Sequence, residues 1–97
     1  MSGTVVGDTL MWEVRAAAGR LPELLAWVEQ QLPAVLGAGS GLGADVYTAA
    51  EDRIVVILRS GTAGRPARLP EPPAELLARA PHQWPFGFHG HWDAPAG

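Results

Sequence analysis

The chain has 97 residues and no cysteine, and its formal net charge at pH 7 is −3. This length fits a single domain, residues 1–97, and the absence of cysteine excludes disulfides and thiolate chemistry. All seven basic residues are arginines scattered along the chain, whereas a nucleic-acid-binding protein typically carries a basic stripe, so we expect no nucleic-acid partner.

The hydropathy pattern predicts no membrane association. The first residues lack the basic start and the apolar run of a secretory signal, and no stretch reaches the roughly 18 apolar residues that a membrane span requires. A chain without cysteine is compatible with a reducing compartment, so we expect a cytoplasmic protein. Residues 1–8 and 93–97 are polar or small, and we expect both segments to be flexible tails.

An alternation of apolar and polar residues predicts a strand over residues 9–17, because side chains of a strand point to opposite faces with period two. One predicted face carries Leu10, Trp12, Val14 and Ala16. An amphipathic helix follows, with Pro22 in its first turn. We expect Pro33 to kink or restart this helix and Gly37 to end it.

Residues 44–50 and 53–59 predict a hairpin with a polar turn at Glu51-Asp52. Its first strand places Tyr47 on the same face as Asp45. Its second strand is apolar on both faces from Ile54 to Leu58, whereas a strand covered on one side alternates. We therefore expect helices to cover one face of this strand and a second subunit to cover the other.

The last third of the chain predicts a long loop, a short helix and a final strand. Residues 60–73 are rich in proline and glycine, as in a lid or a binding loop. A helix over residues 73–80 would end at Pro81. The alternation from 84 to 92 predicts a strand with Trp84, Phe86, Phe88 and Trp92 on one face and His89 and His91 on the other.

These elements predict an α+β fold with the order β-α-β-β-α-β, which is the ferredoxin-like order. Such a chain forms a four-stranded antiparallel sheet with both helices on one face. The other face would expose apolar side chains, and a homodimer is the simplest way to cover them.

Three segments within residues 11–59 carry a family resemblance. The first two are the strand Trp12-Glu13-Val14-Arg15 and the helix entry Gly19-Arg20-Leu21-Pro22-Glu23-Leu24-Leu25. The third is a hairpin over 43–57. In this hairpin a small residue is followed by a strand with an aromatic residue, an acidic turn and an aliphatic strand. In this pattern the chain resembles the antibiotic-biosynthesis monooxygenase family of dimeric α/β-barrel proteins. The resemblance implies two ferredoxin-like subunits packed sheet to sheet, each with a ligand cavity between helices and sheet. The family includes cofactor-independent oxygenases of aromatic polyketides and haem-degrading enzymes.

On this basis we expect a dimer that binds a hydrophobic or aromatic small molecule, as a cofactor-independent, monooxygenase-like enzyme of secondary metabolism would. The residues predicted to bind it are Trp12, Tyr47, Trp84 and Phe88. His82 is the predicted catalytic base, because an imidazole can remove the proton that leaves a substrate carbanion for oxygen. Aromatic side chains at these positions are also typical of a core or an interface.

Two alternatives remain open. His89 and His91 would lie about 7 Å apart on one strand face, and with His82 or Asp93 they would hold a divalent transition metal in an accessory protein. The same histidines are also compatible with a solvated strand face. The chain is equally compatible with a non-catalytic assembly module in which the dimer itself is the function.

Overall fold

The fold is α+β, as predicted, with a four-stranded antiparallel sheet and one α-helix in the part of the chain that the structure describes. The structure is a computed structural model, and it describes residues 8–37, 41–60 and 68–96. In chain order, the elements are strand β1 (Thr9–Ala16), helix α1 (Leu21–Gly37), strands β2 (Gly41–Ala49) and β3 (Arg53–Ser60), a 3-10 turn (Ala74–Leu76) and strand β4 (Leu77–Phe86).

The predicted first strand and hairpin are confirmed. In β1, even-numbered residues are buried and odd-numbered residues are half-buried, as period two requires. The turn between β2 and β3 holds Glu51 and Asp52 in left-handed conformations, with φ values of 64° and 58°. Tight hairpin turns favour positive φ because their twist then matches that of the two strands.

Helix α1 confirms the predicted amphipathic helix. It begins at Leu21, has Pro22 and Glu23 in its first turn and ends at Gly37. The helix does not restart at Pro33, because it continues through this residue to Gly37; the expected kink stays a prediction. Its buried residues, Leu24, Val28 and Val35, face the sheet.

The predicted second helix over residues 73–80 is wrong. A single 3-10 turn replaces it, and Pro73 before the turn is extended, with ψ of 131°. Residues 77–80 belong to β4, where Leu77 is the partner of Ala16 and Arg79 is the partner of Arg15. The open edge of β1 thus supplies hydrogen-bond partners to a segment that would otherwise favour a helix.

The last strand lies earlier than predicted, because β4 ends at Phe86 and residues 87–96 have no regular secondary structure. The assignment of Phe88, Trp92, His89 and His91 to two strand faces is therefore wrong. The sheet order is β2-β3-β1-β4, so β4 is an edge strand. An edge position tolerates prolines such as Pro81 and Pro85, since one side of the strand needs no hydrogen-bond donors.

The core lies between α1 and one face of the sheet. Its largest fully buried side chain is Trp12, whose ring stacks on that of Trp27 with centroids 6.5 Å apart. The other buried core residues are Leu10, Val14, Ala16, Leu24, Val28, Val35, Ile54, Val56, Leu58, Leu69 and Leu76. Leu69 belongs to the predicted 60–73 loop, so part of that loop packs on the core; residues 61–67 lie outside the described residues.

The strand order is compatible with a ferredoxin-like fold, although the described part of the connection from β3 to β4 contains no α-helix. Among the described residues, no helix is both long enough and apolar enough to cross a membrane.

Candidate functional site

The face of the sheet opposite α1 is the candidate site, and we call it the open face. In β1 it carries the odd-numbered residues, because the even-numbered ones are buried under α1. The strand register assigns partners from the other strands to the same face, since side chains of directly opposed residues lie together. The open face comprises Thr9, Met11, Glu13, Arg15, Gly43, Asp45, Tyr47, Ala49, Arg53, Val55, Ile57, Arg59, Arg79, His82, Trp84 and Phe86.

The centre of the open face is apolar. Met11 lies between Ile57 on β3 and Trp84 on β4. Trp84 and Phe86 remain 41% and 47% exposed, and Tyr47 at the other edge is 56% exposed. Large apolar side chains grouped on one surface are unusual for an isolated soluble domain and are typical of a binding surface.

Cross-strand ion pairs flank this apolar centre. Arg59 Nη1 lies 2.6 Å from Asp45 Oδ2, and Arg53 Nη1 lies 3.1 Å from Glu13 Oε2. Gly43 leaves room for the first pair, because a Cβ at this position would come within 2.7 Å of the Arg59 guanidinium. In each of these two pairs the arginine and the carboxylate thus neutralise each other's charge.

Two predicted site residues are brought together on β4. The rings of His82, the predicted base, and Trp84, a predicted ligand contact, stack with centroids 5.6 Å apart and an interplanar angle of 12°. Both side chains are exposed on the open face. They form an exposed aromatic stack at the edge of the sheet, and the catalytic role of His82 stays a prediction.

The other three predicted ligand contacts are dispersed. Trp12 is fully buried on the opposite face, where its indole Nε1 has no acceptor among the described residues. Tyr47 shares the open face but lies on β2, at the edge opposite β4. Phe88 follows β4, donates its backbone N–H to Asp8 Oδ1 at 2.8 Å, and borders a hollow of about 190 Å³ with Leu42 and Arg59.

The histidines proposed as metal ligands do not converge. The His89 ring stacks on Trp92 at 6.4 Å, whereas His91 Nε2 lies 2.8 Å from Asp93 Oδ1. Within residues 8–37, 41–60 and 68–96, no three histidine, aspartate or glutamate side chains are grouped to hold a metal ion. The metal role of His89 and His91 stays a prediction.

Sequence reasoning missed a row of three arginines across the open face, which we call the arginine row. Arg15 on β1 is the register partner of both Arg53 on β3 and Arg79 on β4. Arg15 and Arg53 pair through the register of β1 and β3, which α1 and β2 separate in the chain, so no local pattern placed them opposite each other. Arg79 was assigned to a helix, so its position beside Arg15 had no signal in the sequence.

The chain matches no family model, no curated protein and no solved structure.

Proposed function

We propose that the chain functions as a homodimer whose subunits pack open face against open face, as in a dimeric α/β barrel, and that the dimer binds a hydrophobic or aromatic small molecule. One observation carries this proposal: the open face is apolar at its centre and bears the exposed aromatic side chains of Trp84 and Phe86.

The composition of β3 supports the proposal that a second copy covers the open face. Ile54, Val56 and Leu58 are buried under α1, while Val55 and Ile57 point to the open face and remain half-buried. A strand with one solvated face normally carries polar residues there. Covering Val55 and Ile57 by a second copy removes apolar surface from water, which stabilises the assembly by about 25 cal/mol per Å².

The size of the face is sufficient for a specific interface. Four strands of at least eight residues make a face of roughly 500 Å², at about 4.8 Å between strands and about 3.3 Å per residue. Two such faces together bury about 1,000 Å², the lower bound of a specific contact. A twofold contact also places each apolar centre against an identical one.

The stack of His82 and Trp84 supports the proposal that the dimer binds an aromatic molecule. The layer between α1 and the sheet is filled by side chains such as Trp12, Leu24 and Val28, which have no exposed area. By contrast, His82 and Trp84 lie on an edge strand, and therefore at the rim of the proposed dimer contact. A flat apolar molecule that enters at the rim would stack on Trp84 with favourable ring geometry.

The dimer is tested by measuring the mass of the purified 97-residue chain with light scattering and native mass spectrometry. We expect about 20 kDa, twice the 10.2 kDa of one chain. Ile57→Glu should weaken the dimer about 100-fold or more, because it would bury an unpaired carboxylate in the contact. Thr48→Glu is the matched control, since Thr48 is exposed on the opposite side of β2. A monomeric wild-type chain would contradict the proposal.

The ligand is tested with 2-naphthamide, a neutral flat aromatic probe, titrated into the dimer and followed through the tryptophan indole resonances in NMR spectra. Trp84→Ala should weaken binding about tenfold, the loss of one aromatic contact and its buried area. Trp92→Ala is the control, because Trp92 also stacks on a histidine but lies outside the open face. Equal losses in the two variants would argue against a site at Trp84.

A further inference from the structure

We propose that the arginine row, together with His82, binds the carboxylate of the small molecule, so that the ligand class is an aromatic carboxylic acid. This inference rests on the proposed function, because the aromatic part of the same ligand would stack on Trp84. Its basis is a concentration of cationic groups for which the described residues supply too few anionic partners.

The first observation is the placement of the three arginines. Arg53, Arg15 and Arg79 occupy the same level of three adjacent strands. Directly opposed residues of antiparallel strands have Cα atoms about 4.5–5.5 Å apart, and like charges at that separation oppose folding. An arrangement that disfavours the unliganded fold is expected where a bound anion offsets the repulsion.

The second observation is the charge balance. Arg53 pairs with Glu13, and Arg15 pairs with Glu51. Arg79 has no ion-pair partner among the described residues, which include every aspartate and glutamate of the chain. The row therefore has one cation in excess within a protein of net charge −3.

The third observation is a pair of unsatisfied donors. The Nε atoms of Arg15 and Arg53 are both buried and have no acceptor among the described residues. Each belongs to a guanidinium whose N–H groups point along a fixed fork, the geometry that binds a carboxylate through two oxygens. A ligand carboxylate would supply the missing acceptors.

The fourth observation is a small hollow at this point of the sheet. The three arginines, Glu13, Ala80 and His82 line it, and its volume of about 10 Å³ holds one water-sized atom, such as a carboxylate oxygen. It lies at a bulge in β4, where Ala80 and Pro81 together oppose Val14. Bulges re-aim side chains and are common beside binding sites.

His82 connects the cationic and aromatic parts of the site. Its ring lines the hollow and also stacks on Trp84 at 5.6 Å. A ligand whose carboxylate lies at the arginine row would extend its ring past His82 toward Trp84. A single aromatic acid therefore contacts both features, whereas a neutral aromatic molecule contacts only the stack.

The test compares 2-naphthoate with 2-naphthamide, which has nearly the same shape but no charge, in titrations of the dimer of the 97-residue chain at low salt. We expect wild-type protein to bind naphthoate about tenfold more tightly or better, because a guanidinium forms a stronger hydrogen bond with a carboxylate than with a neutral amide. Arg79→Gln should abolish this preference, so that the variant binds naphthoate no more tightly than naphthamide. Arg20→Gln, which makes the same change in net charge beside α1, should retain the preference.

The outcomes separate this inference from the proposed function. Equal affinity of the wild type for both probes, or a preference that survives Arg79→Gln, would overturn the carboxylate site while leaving the aromatic site intact. No binding of either probe would overturn the aromatic site itself, and with it the inference. Arg79→Gln should remain dimeric by light scattering; a monomeric variant would show that the arginine row serves the subunit contact, which would also overturn the proposal.

Discussion

Val55 and Val56 are neighbours on β3, yet they lie on two differently built faces of one sheet. Val56 is fully buried under α1, whereas Val55 is half-buried on the open face beside Glu13 and Tyr47. The covered face is uniformly apolar along β1 and β3 except for Ser60 near its end. The open face combines an apolar centre with ion pairs and the arginine row. The covered face provides the stability of the monomer, and the open face is composed like a binding surface.

The comparison predicts that the largest single loss of stability comes from the covered face, at Trp12. Trp12→Ala should lower the free energy of unfolding by about 3–5 kcal/mol, because it leaves a large cavity in the core. Urea denaturation followed by circular dichroism measures this loss. Trp84→Ala, measured at a protein concentration low enough to populate monomer, is the matched variant and should cost much less. Similar losses at both positions would remove the distinction between the faces.

A sharper form of the comparison uses the two adjacent valines. Val56→Ala should lower the free energy of unfolding by about 2 kcal/mol at every protein concentration, since it deletes buried methyl groups from the core. Val55→Ala should cost less than about 1 kcal/mol in dilute solution and more as the dimer forms, because association adds to the measured stability by mass action. Denaturation curves over a hundredfold range of protein concentration test this difference. A cost of Val55→Ala that does not vary with concentration would argue against open-face association.

The smallest expected effect concerns the ion pair between Asp45 and Arg59. Both side chains are about half exposed, so Asp45→Asn should cost about 0.5 kcal/mol or less in the monomer, and the cost should fall in molar salt. In the dimer the pair would be less exposed, and the cost should then rise. Glu23→Gln removes the pair with Arg20 on α1 and is the control, because its effect should not depend on association. The measurement is thermal unfolding at two protein concentrations and two salt concentrations.

Local patterns in the sequence were sufficient for β1, α1 and the β2–β3 hairpin. Each of these elements has a signal within a few residues: period two in Leu10 to Ala16, a helical stripe behind Pro22, and the acidic turn at Glu51 and Asp52. The apolar residues of β3 on the open face also followed from the continuous apolar run from Ile54 to Leu58. The partner expected to cover that face stays a prediction.

The same reasoning was wrong for the second helix. Residues 77–80 are leucine, alanine, arginine and alanine, all of which favour helices. In the fold they pair with β1 instead, because the unpaired edge of β1 offers backbone partners and because Leu76 and Leu77 pack against the core. The final strand was displaced for the same reason, which separated His89 and His91 from the sheet and joined His82 to it.

Local sequence patterns predicted some features of the candidate site but not how its residues meet. The alternation of β1 was enough to put Glu13 and Arg15 on one face, and the composition of the last segment was enough to single out His82 and Trp84. The meeting of Arg79 with Arg15, and of His82 with Glu13, depends on the register of two strands more than 60 residues apart and on a bulge between them. That register is set by hydrogen bonding and packing across the whole sheet, so no window of the sequence contains it.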